Sequence, residues 1–393
     1  MGEDRYVTVR NIQRQPLWAG GGPKLRQLDI ELTERCNNAC LHCYINRAED
    51  DARARQQELS TAEWQDVLRQ AAGLGALGVR LTGGEPLLRP DFAELYVFAR
   101  RLGLKVQIFT NARRITPELA ELFRRIPPRE KIEISAYGMH PESYAAAASA
   151  PGGYAEFRGG VERLLERGVP FTVKYALLPQ NKADLEEFEA WAARLPGMDQ
   201  APSIAMFFDL RGRRDSPARN RLIRQLRVPP AEGLEILERR APGYIAELAE
   251  FCGRGMGASG ARLFACGAGL GGSVDAYGRY QPCLLLRDPA LAYDLRRGSL
   301  QDGLENFFPQ VRQIQARNPD YLARCGRCFL HGLCEQCPAK SWAEHGTLDT
   351  PVEYVCQVAH AQARRLGLLA EGERAWEVTD GPERVKQMKA KEE

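Results

Sequence analysis

The sequence predicts an α/β fold, a parallel sheet with its helices on the outside, followed by a smaller cysteine-rich region. Three observations point there. Short β-rich runs alternate with helical segments between about residues 27 and 210, several helices are followed by glycine, and eight of the eleven cysteines crowd into Cys252–Cys356. Six βα-like units of this kind form an open sheet or a partial barrel.

The strand candidates are Gln27–Thr33, Val79–Thr82, Lys105–Thr110, Lys131–Ala136, Phe171–Leu178 and Ser203–Asp209. Val, Ile, Phe and Thr dominate them, side chains that suit a pleated, half-buried surface. Helical stretches lie between: Ser60–Leu74, Asp91–Leu102, Thr116–Arg125, Tyr154–Arg167 and Asp184–Leu195. Ser60-Thr-Ala-Glu63 has the residues of a capping box. Gly103, Gly168 and Gly197 stand where a C-terminal glycine is expected. Sites in such folds gather at the C-terminal ends of the strands, and Cys36, Cys40 and Cys43 sit just beyond the first.

Beyond residue 210 the pattern changes. Arg211-Gly-Arg-Arg214 reads as a solvated basic loop, and Pro229–Glu250 as a helical connector. From Cys252 to Cys356 glycine and cysteine set the texture, and metal binding can hold such a region together as much as an apolar core does. Val355–Leu369 is helical by pattern, and Glu371–Glu393 is a charged tail expected to fray. The expected organisation is an N-terminal extension (1–25), a core (26–212), a helical connector (213–250), a cysteine-rich domain (251–360), and a helix end with charged tail (361–393).

The 393 residues are 44% hydrophobic and 27% charged, an ordinary globular balance able to bury a large core. A net charge of +3 makes no electrostatic case for general nucleic-acid binding. No apolar run reaches the ~18 residues of a membrane span. The start, Met-Gly-Glu-Asp-Arg-Tyr, lacks the basic-then-apolar order of a signal peptide, so the expected compartment is the cytoplasm. A secreted disulfide scaffold suits small chains with poor cores, and an odd cysteine count would leave one thiol over.

Metal ligation fits the cysteines better. Cys36-x3-Cys40-x2-Cys43 and the block Cys325, Cys328, Cys334, Cys337 have the close spacing of soft thiolates around iron and sulfur. Three ligands in the first group suggest a cluster with one iron open. Zinc is the other reading of each group, and the four-cysteine block taken alone has the form of a zinc ribbon.

Cys36, Cys40, Cys43 and the following Tyr44 resemble the cluster motif of the radical S-adenosylmethionine (SAM) superfamily. Gly83-Gly84-Glu85-Pro86, directly after the second strand, is similar to that family's GGEP motif. The glycines there let the backbone approach a ligand closely. The resemblance implies a partial (β/α)6 TIM-like barrel. It also implies a [4Fe–4S] cluster on the three cysteines, its open iron chelated by SAM, and reductive cleavage of SAM to a 5′-deoxyadenosyl radical. Thr110, Asn111, Ser135 and Lys174 match the family's further SAM contacts. A lysine inside an apolar strand needs a counter-charge, supplied by the SAM carboxylate or by an internal partner such as Glu133.

The later cysteines resemble those of a SPASM domain, which implies two auxiliary [4Fe–4S] clusters. Carried over by position, Cys325, Cys328, Cys334 and Cys356 hold the outer one, and Cys266, Cys283 and Cys337 the inner one, with Cys252 as the candidate fourth ligand. Two residues, Glu335 and Gln336, separate Cys334 from Cys337 where the commonest form has three. Relatives of this kind include peptide maturases, sulfatase-maturating enzymes and haem-modifying enzymes. Leu284 stands where sulfatase-maturating enzymes carry a catalytic aspartate. The resemblance therefore favours oxidative modification (a crosslink, thioether or related link) of a ribosomally synthesised precursor peptide. The implied partners are that peptide, a separate peptide-recognition protein, and flavodoxin or ferredoxin as electron donor. A small-molecule dehydrogenase or tetrapyrrole-modifying enzyme is the enzymatic alternative, and a non-catalytic electron carrier or scaffold the other class. His140, Asp275, Tyr137 and Tyr175 are acid/base candidates by position.

Overall fold

The computed structural model describes residues 24–241 and 243–389. The expected N-terminal extension lies almost wholly outside them. Nine strands form one sheet: β1 (Gln27–Thr33), β2 (Gly78–Gly83), β3 (Lys105–Thr110), β4 (Ile132–Ala136), β5 (Phe171–Ala176), β6 (Ser203–Ala205), β7 (Ser273–Val274), β8 (Arg279–Gln281) and β9 (Tyr293–Asp294). Their order is β9-β8-β7-β1-β2-β3-β4-β5-β6.

From β1 to β6 every neighbouring pair is parallel. Parallel strands need crossovers, and the crossovers here carry the helices that cover the sheet. Leu28, Ile30, Val79, Leu81, Val106, Ile108, Ile132, Ile134 and Val173 are all buried in one continuous core. Helix Thr61–Gly73 shows how a crossover is built. Ser60 and Glu63 cap it reciprocally, as the sequence predicts, and Trp64, Val67, Leu68 and Ala71 form its buried face. Each large apolar side chain buried this way contributes about 1.5–3 kcal/mol.

The cysteine-rich region joins this sheet. β7 pairs parallel with β1, and β8 and β9 follow antiparallel, with β9 at the edge. Glu31 of β1 and Arg287 are both buried and paired, fastening the two regions through their interior.

The helical connector comprises helices Pro217–Leu226, Pro230–Arg240 and Tyr244–Gly255. Two expectations are corrected. The basic loop is not solvated surface: Arg211 is buried, and Arg213 binds buried Glu34. The charged tail does not fray through its described length. Ala375 and Val385 are buried in an apolar cluster, helix Gly381–Lys389 forms, and Arg384 Nη1 binds Glu373 at 2.6 Å. Scattered apolar residues with a local ion pair dock the tail despite its charge.

Candidate active site

A lasso carries the first three cysteines. Arg35–Cys36 pairs with Arg47–Ala48 as a short parallel ladder, which closes the base of the loop between them. The Ala39 and Leu41 N–H groups donate to the carbonyls of Ala148 and Ala147, at the end of helix Pro141–Ala148, a helix not foreseen from sequence. Three arginines hold the outward carbonyls. Arg219 Nη1 donates to Cys40 O at 2.6 Å and Arg211 Nη1 to Cys43 O at 3.3 Å, while Arg113 binds Asn37 O and Asn38 Oδ1. With its backbone bonded outward, the loop turns its thiols inward.

They face a cavity of about 390 Å³. Cys36, Cys40, Cys43 and Tyr44 line it together with Gly83, Gly84, Thr110, Asn111, Ser135 and Lys174. Residues spread over 139 positions of chain therefore meet in one chamber at the C-terminal ends of β1–β5. Glu85 and Pro86 are not among the lining residues. Glu85 is fully buried behind the wall, where it accepts hydrogen bonds from Thr110 Oγ1 at 2.8 Å, Asn111 N at 2.8 Å and Leu87 N at 3.1 Å. It is a clasp between the ends of β2 and β3. Desolvation raises its pKa to about 7 against the pull of those three bonds. Pro86 opens the short turn Pro86–Leu88 and is buried.

The two glycines also make a close approach within the chain. A Cβ on Gly83 would lie 2.2 Å from Thr33 O, and one on Gly84 would lie 2.2 Å from Arg35 O. Gly84 N donates to Thr33 O and Glu85 N to Arg35 O. The close approach is to the base of the cysteine lasso, and it sets the lasso's height above the sheet.

Burial dominates the electrostatics. It pushes the Cys40 thiol up to about 12, with neighbouring Cys43 adding to the shift, and it raises Cys36, with Cys40 and Glu85 adding. Buried thiols that repel one another become a stable thiolate set only beside a positive centre, which suits an iron–sulfur cluster. Asn37 Nδ2 and His42 Nδ1 are buried without a partner among the described residues. Burial, then Lys174 and Arg219, hold His42 down at about 4, so its imidazole is neutral at pH 7. Lys174 pairs with Glu133 at 2.5 Å, the internal partner considered from sequence, and also lines the cavity.

Several wall residues were missed from sequence. Phe207, Phe208 and Asp209 follow β6 into the cavity; Leu284, named from sequence for its position after Cys283, also lines it. Asp209 Oδ1 pairs with Lys340 at 2.8 Å, and Lys340 also binds Glu335 at 2.8 Å. An acid after the last strand of the barrel was the available signal. Of the acid/base candidates, Tyr137 and Tyr175 line the cavity. His140 is exposed on Glu187, and Asp275 is spent on the N–H groups of Tyr277 and Arg279 in a turn.

The later cysteines separate. Cys325, Cys328, Cys334 and Cys356 line one small cavity beside His360 and Trp376. Cys283 and Cys337 pack against a different apolar cluster, which Cys325 also touches. Burial raises both of their thiols, with Cys266 adding to the shift of Cys283 and Cys283 to that of Cys337. Cys252 is placed elsewhere. It is buried in the apolar cluster against which Cys328 and Cys334 pack. The resemblance makes it the candidate fourth ligand of the inner set. Among the described residues no three Cys, His or acidic side chains converge closely enough to hold one metal ion.

Fold and site define an α/β barrel enzyme with a thiol-lined chamber at the strand ends. The radical SAM superfamily model matches residues 30–192. The PqqA peptide cyclase of Gluconobacter oxydans is 31% identical over 261 residues, covering 64% of this chain and 68% of the relative. The AdoMet-dependent heme synthase of Methanosarcina barkeri is 27% identical over 338 residues, covering 82% of this chain and 93% of the relative. Among solved structures, Streptococcus suis SuiB bound to precursor peptide SuiA superposes with a TM-score of 0.61 at 17% identity, over 85% of this chain and 76% of that one. The structure of anSMEcpe with bound AdoMet gives 0.60 at 12% identity, over 93% and 96%. The chain belongs to the radical SAM superfamily, and its fold is that of the SPASM-type enzymes within it. Membership implies a [4Fe–4S] cluster and SAM as cofactors.

Proposed function

We propose that this radical SAM enzyme oxidatively modifies a ribosomally made precursor peptide. The observation that carries the reading is the single chamber lined by Cys36, Cys40, Cys43, Gly83, Gly84, Thr110, Asn111, Ser135 and Lys174. In this assignment the three cysteines hold the cluster, and the other residues with Tyr44 surround SAM. Glu85 and Pro86 support that wall from behind. When bound, the cluster and SAM supply a 5′-deoxyadenosyl radical able to take a hydrogen atom from an unactivated carbon.

The chain's own residues do the rest. Lys174 offers a cation that can leave Glu133 for a bound carboxylate. Phe207, Phe208 and Leu284 exclude water from the chamber. Asp209, with Oδ1 held by Lys340, keeps Oδ2 to receive a proton. We assign Cys325, Cys328, Cys334 and Cys356 to an outer auxiliary [4Fe–4S] cluster and Cys266, Cys283 and Cys337 to an inner one, within a domain spanning about 251–360. An electron leaving an oxidised substrate then has an acceptor behind Leu284. Flavodoxin or ferredoxin supplies the reducing electron.

Similarity to a PqqA peptide cyclase supports the peptide, and two fold relatives, SuiB with SuiA and anSMEcpe with the Cp18Cys peptide, were solved with peptides. The heme synthase, matched over 93% of its length, supports a second reading with a tetrapyrrole substrate. The deciding experiment uses anaerobically reconstituted protein with SAM and reductant. Release of 5′-deoxyadenosine is expected, together with loss of two hydrogens per link from a precursor peptide encoded beside the gene. Turnover of a porphyrin with every such peptide unchanged would replace the first reading by the second.

A further inference from the structure

A second cavity, of about 590 Å³, lies against the outer side of the cysteine lasso. Four arginines line it, Arg47, Arg213, Arg279 and Arg296, against one acid, Asp294. Two are already engaged: Arg213 with Glu34 and Asp215, and Arg296 with Glu63 at 3.2 Å. Arg47 and Arg279 have exposed side chains and no ion pair among the described residues. Asp294 is itself drawn to Arg297 at 3.6 Å. The recess is therefore built for carboxylates, which guanidinium groups bind in paired hydrogen bonds.

Two further features say what kind of molecule carries them. Tyr44, Ile45 and Asn46 wall the thiol chamber and the next residue, Arg47, walls this recess, so the two share one loop as a partition. Glu34, two residues before Cys36, is held from the recess side by Arg213 and by Tyr277 Oη at 2.7 Å. The recess is also bordered by β9, the terminal strand of the sheet, whose Asp294 lines it together with the flanking Ala292 and Arg296. The outer edge of β9 has no strand partner among the described residues. The two residues of β9 offer a short stretch of such an edge, to which an extended peptide can add. An extended chain advances about 3.3 Å per residue, so one peptide can bear on both sides of that loop.

We propose that this arginine recess docks an acidic, extended segment of the peptide substrate while a neighbouring part of the same peptide enters the chamber. The proposal rests on the peptide reading above. A folded acidic redox protein would meet the recess as a hollow. A single phosphate would find the two unpaired arginines on separate walls, the lasso and the β8 side.

The test is fluorescence anisotropy of the full chain with a labelled peptide of about twelve residues alternating Glu and Thr, beside its Gln counterpart. The Glu peptide is expected to bind at least about tenfold more tightly than the Gln peptide, and Arg47→Glu with Arg279→Glu to remove that preference. Arg47→Gln with Arg279→Gln, checked by circular dichroism, guards against misfolding and should lose most of it. Equal binding of the two peptides, or no effect of either double variant, overturns the proposal. Displacement by inorganic phosphate at an ionic strength where chloride does nothing reassigns the recess to a small anion. Loss of reduction by flavodoxin in the double variants, with Glu-peptide binding intact, reassigns it to the electron donor. Release of 5′-deoxyadenosine by the wild type is read separately. Its absence with charge-dependent binding intact sinks the function and leaves the recess; its presence without such binding sinks only the recess.

Discussion

Arg287 and Glu31 form a buried pair, with Arg287 Nη1 donating to Glu31 Oε2 at 2.6 Å and both side chains sealed from solvent. Glu31 stands five residues before Cys36, and Arg287 four residues after Cys283. One ion pair thus links the strand that launches the first cysteine group to the loop that carries the inner one. Removing one partner strands a buried charge, at about 3–5 kcal/mol, whereas replacing both by apolar residues costs much less. Arg287→Met should lower the thermal unfolding midpoint sharply, and Glu31→Leu with Arg287→Met should recover much of the loss. Equal midpoints for the single and double variants would refute this.

Glu85 gives a pH signature. Desolvation raises it from 4.5 to about 7 in the folded chain, so between those values the native state keeps a proton that the unfolded chain has released. Its contribution to stability is full below the unfolded value and is lost as pH rises through about 7. Glu85→Gln is neutral throughout, so its stability relative to wild type should climb across this window. Urea midpoints measured at each pH check it, and parallel curves would contradict it.

Gly84→Ala places a methyl against Arg35 O, a backbone atom with no room to give. The lasso should shift, with 5′-deoxyadenosine release falling at least about tenfold while far-ultraviolet circular dichroism stays near wild type. Undiminished release would show that the lasso tolerates the displacement.

Cys252 lies in the apolar cluster against which Cys328 and Cys334 pack, whereas Cys283 and Cys337 pack against another. Cys252→Ala should leave iron and sulfide content at the wild-type level, whereas Cys283→Ala or Cys328→Ala should lower it. Iron analysis after anaerobic reconstitution decides; a drop in the Cys252 variant would restore it as a ligand.

Trp376 borders the cavity of the outer cysteines and lies 4.7 Å under the Arg324 guanidinium. Deleting residues 371–393 should uncover that set. Bleaching of the iron–sulfur absorption in air should then quicken, while 5′-deoxyadenosine release under anaerobic conditions persists. Identical bleaching rates would rule out a covering role.

Local signals were legible where chemistry is local. β1 and β3 have the bounds read from sequence, and the Ser60–Glu63 cap is as expected, because strand propensity and capping depend on neighbouring residues. Of the residues lining the chamber, Cys36, Cys40, Cys43, Tyr44, Gly83, Gly84, Thr110, Asn111, Ser135 and Lys174 were named from sequence, through resemblance to the family's motifs. Arg113, Arg211 and Arg219 were not foreseen as supports of the lasso. Their acceptors are backbone carbonyls far along the chain, and a carbonyl has no sequence signature.

The sequence by itself determined the alternating βα units, the three-cysteine motif and the thiol-rich second half, because periodicity and ligand spacing are properties of short segments. Only the tertiary structure decided which thiols share a cavity, that β7–β9 extend the core sheet, and that four arginines border the lasso. Those depend on distances between segments far apart in the chain. Burial and pairing set such distances, and spacing does not encode them.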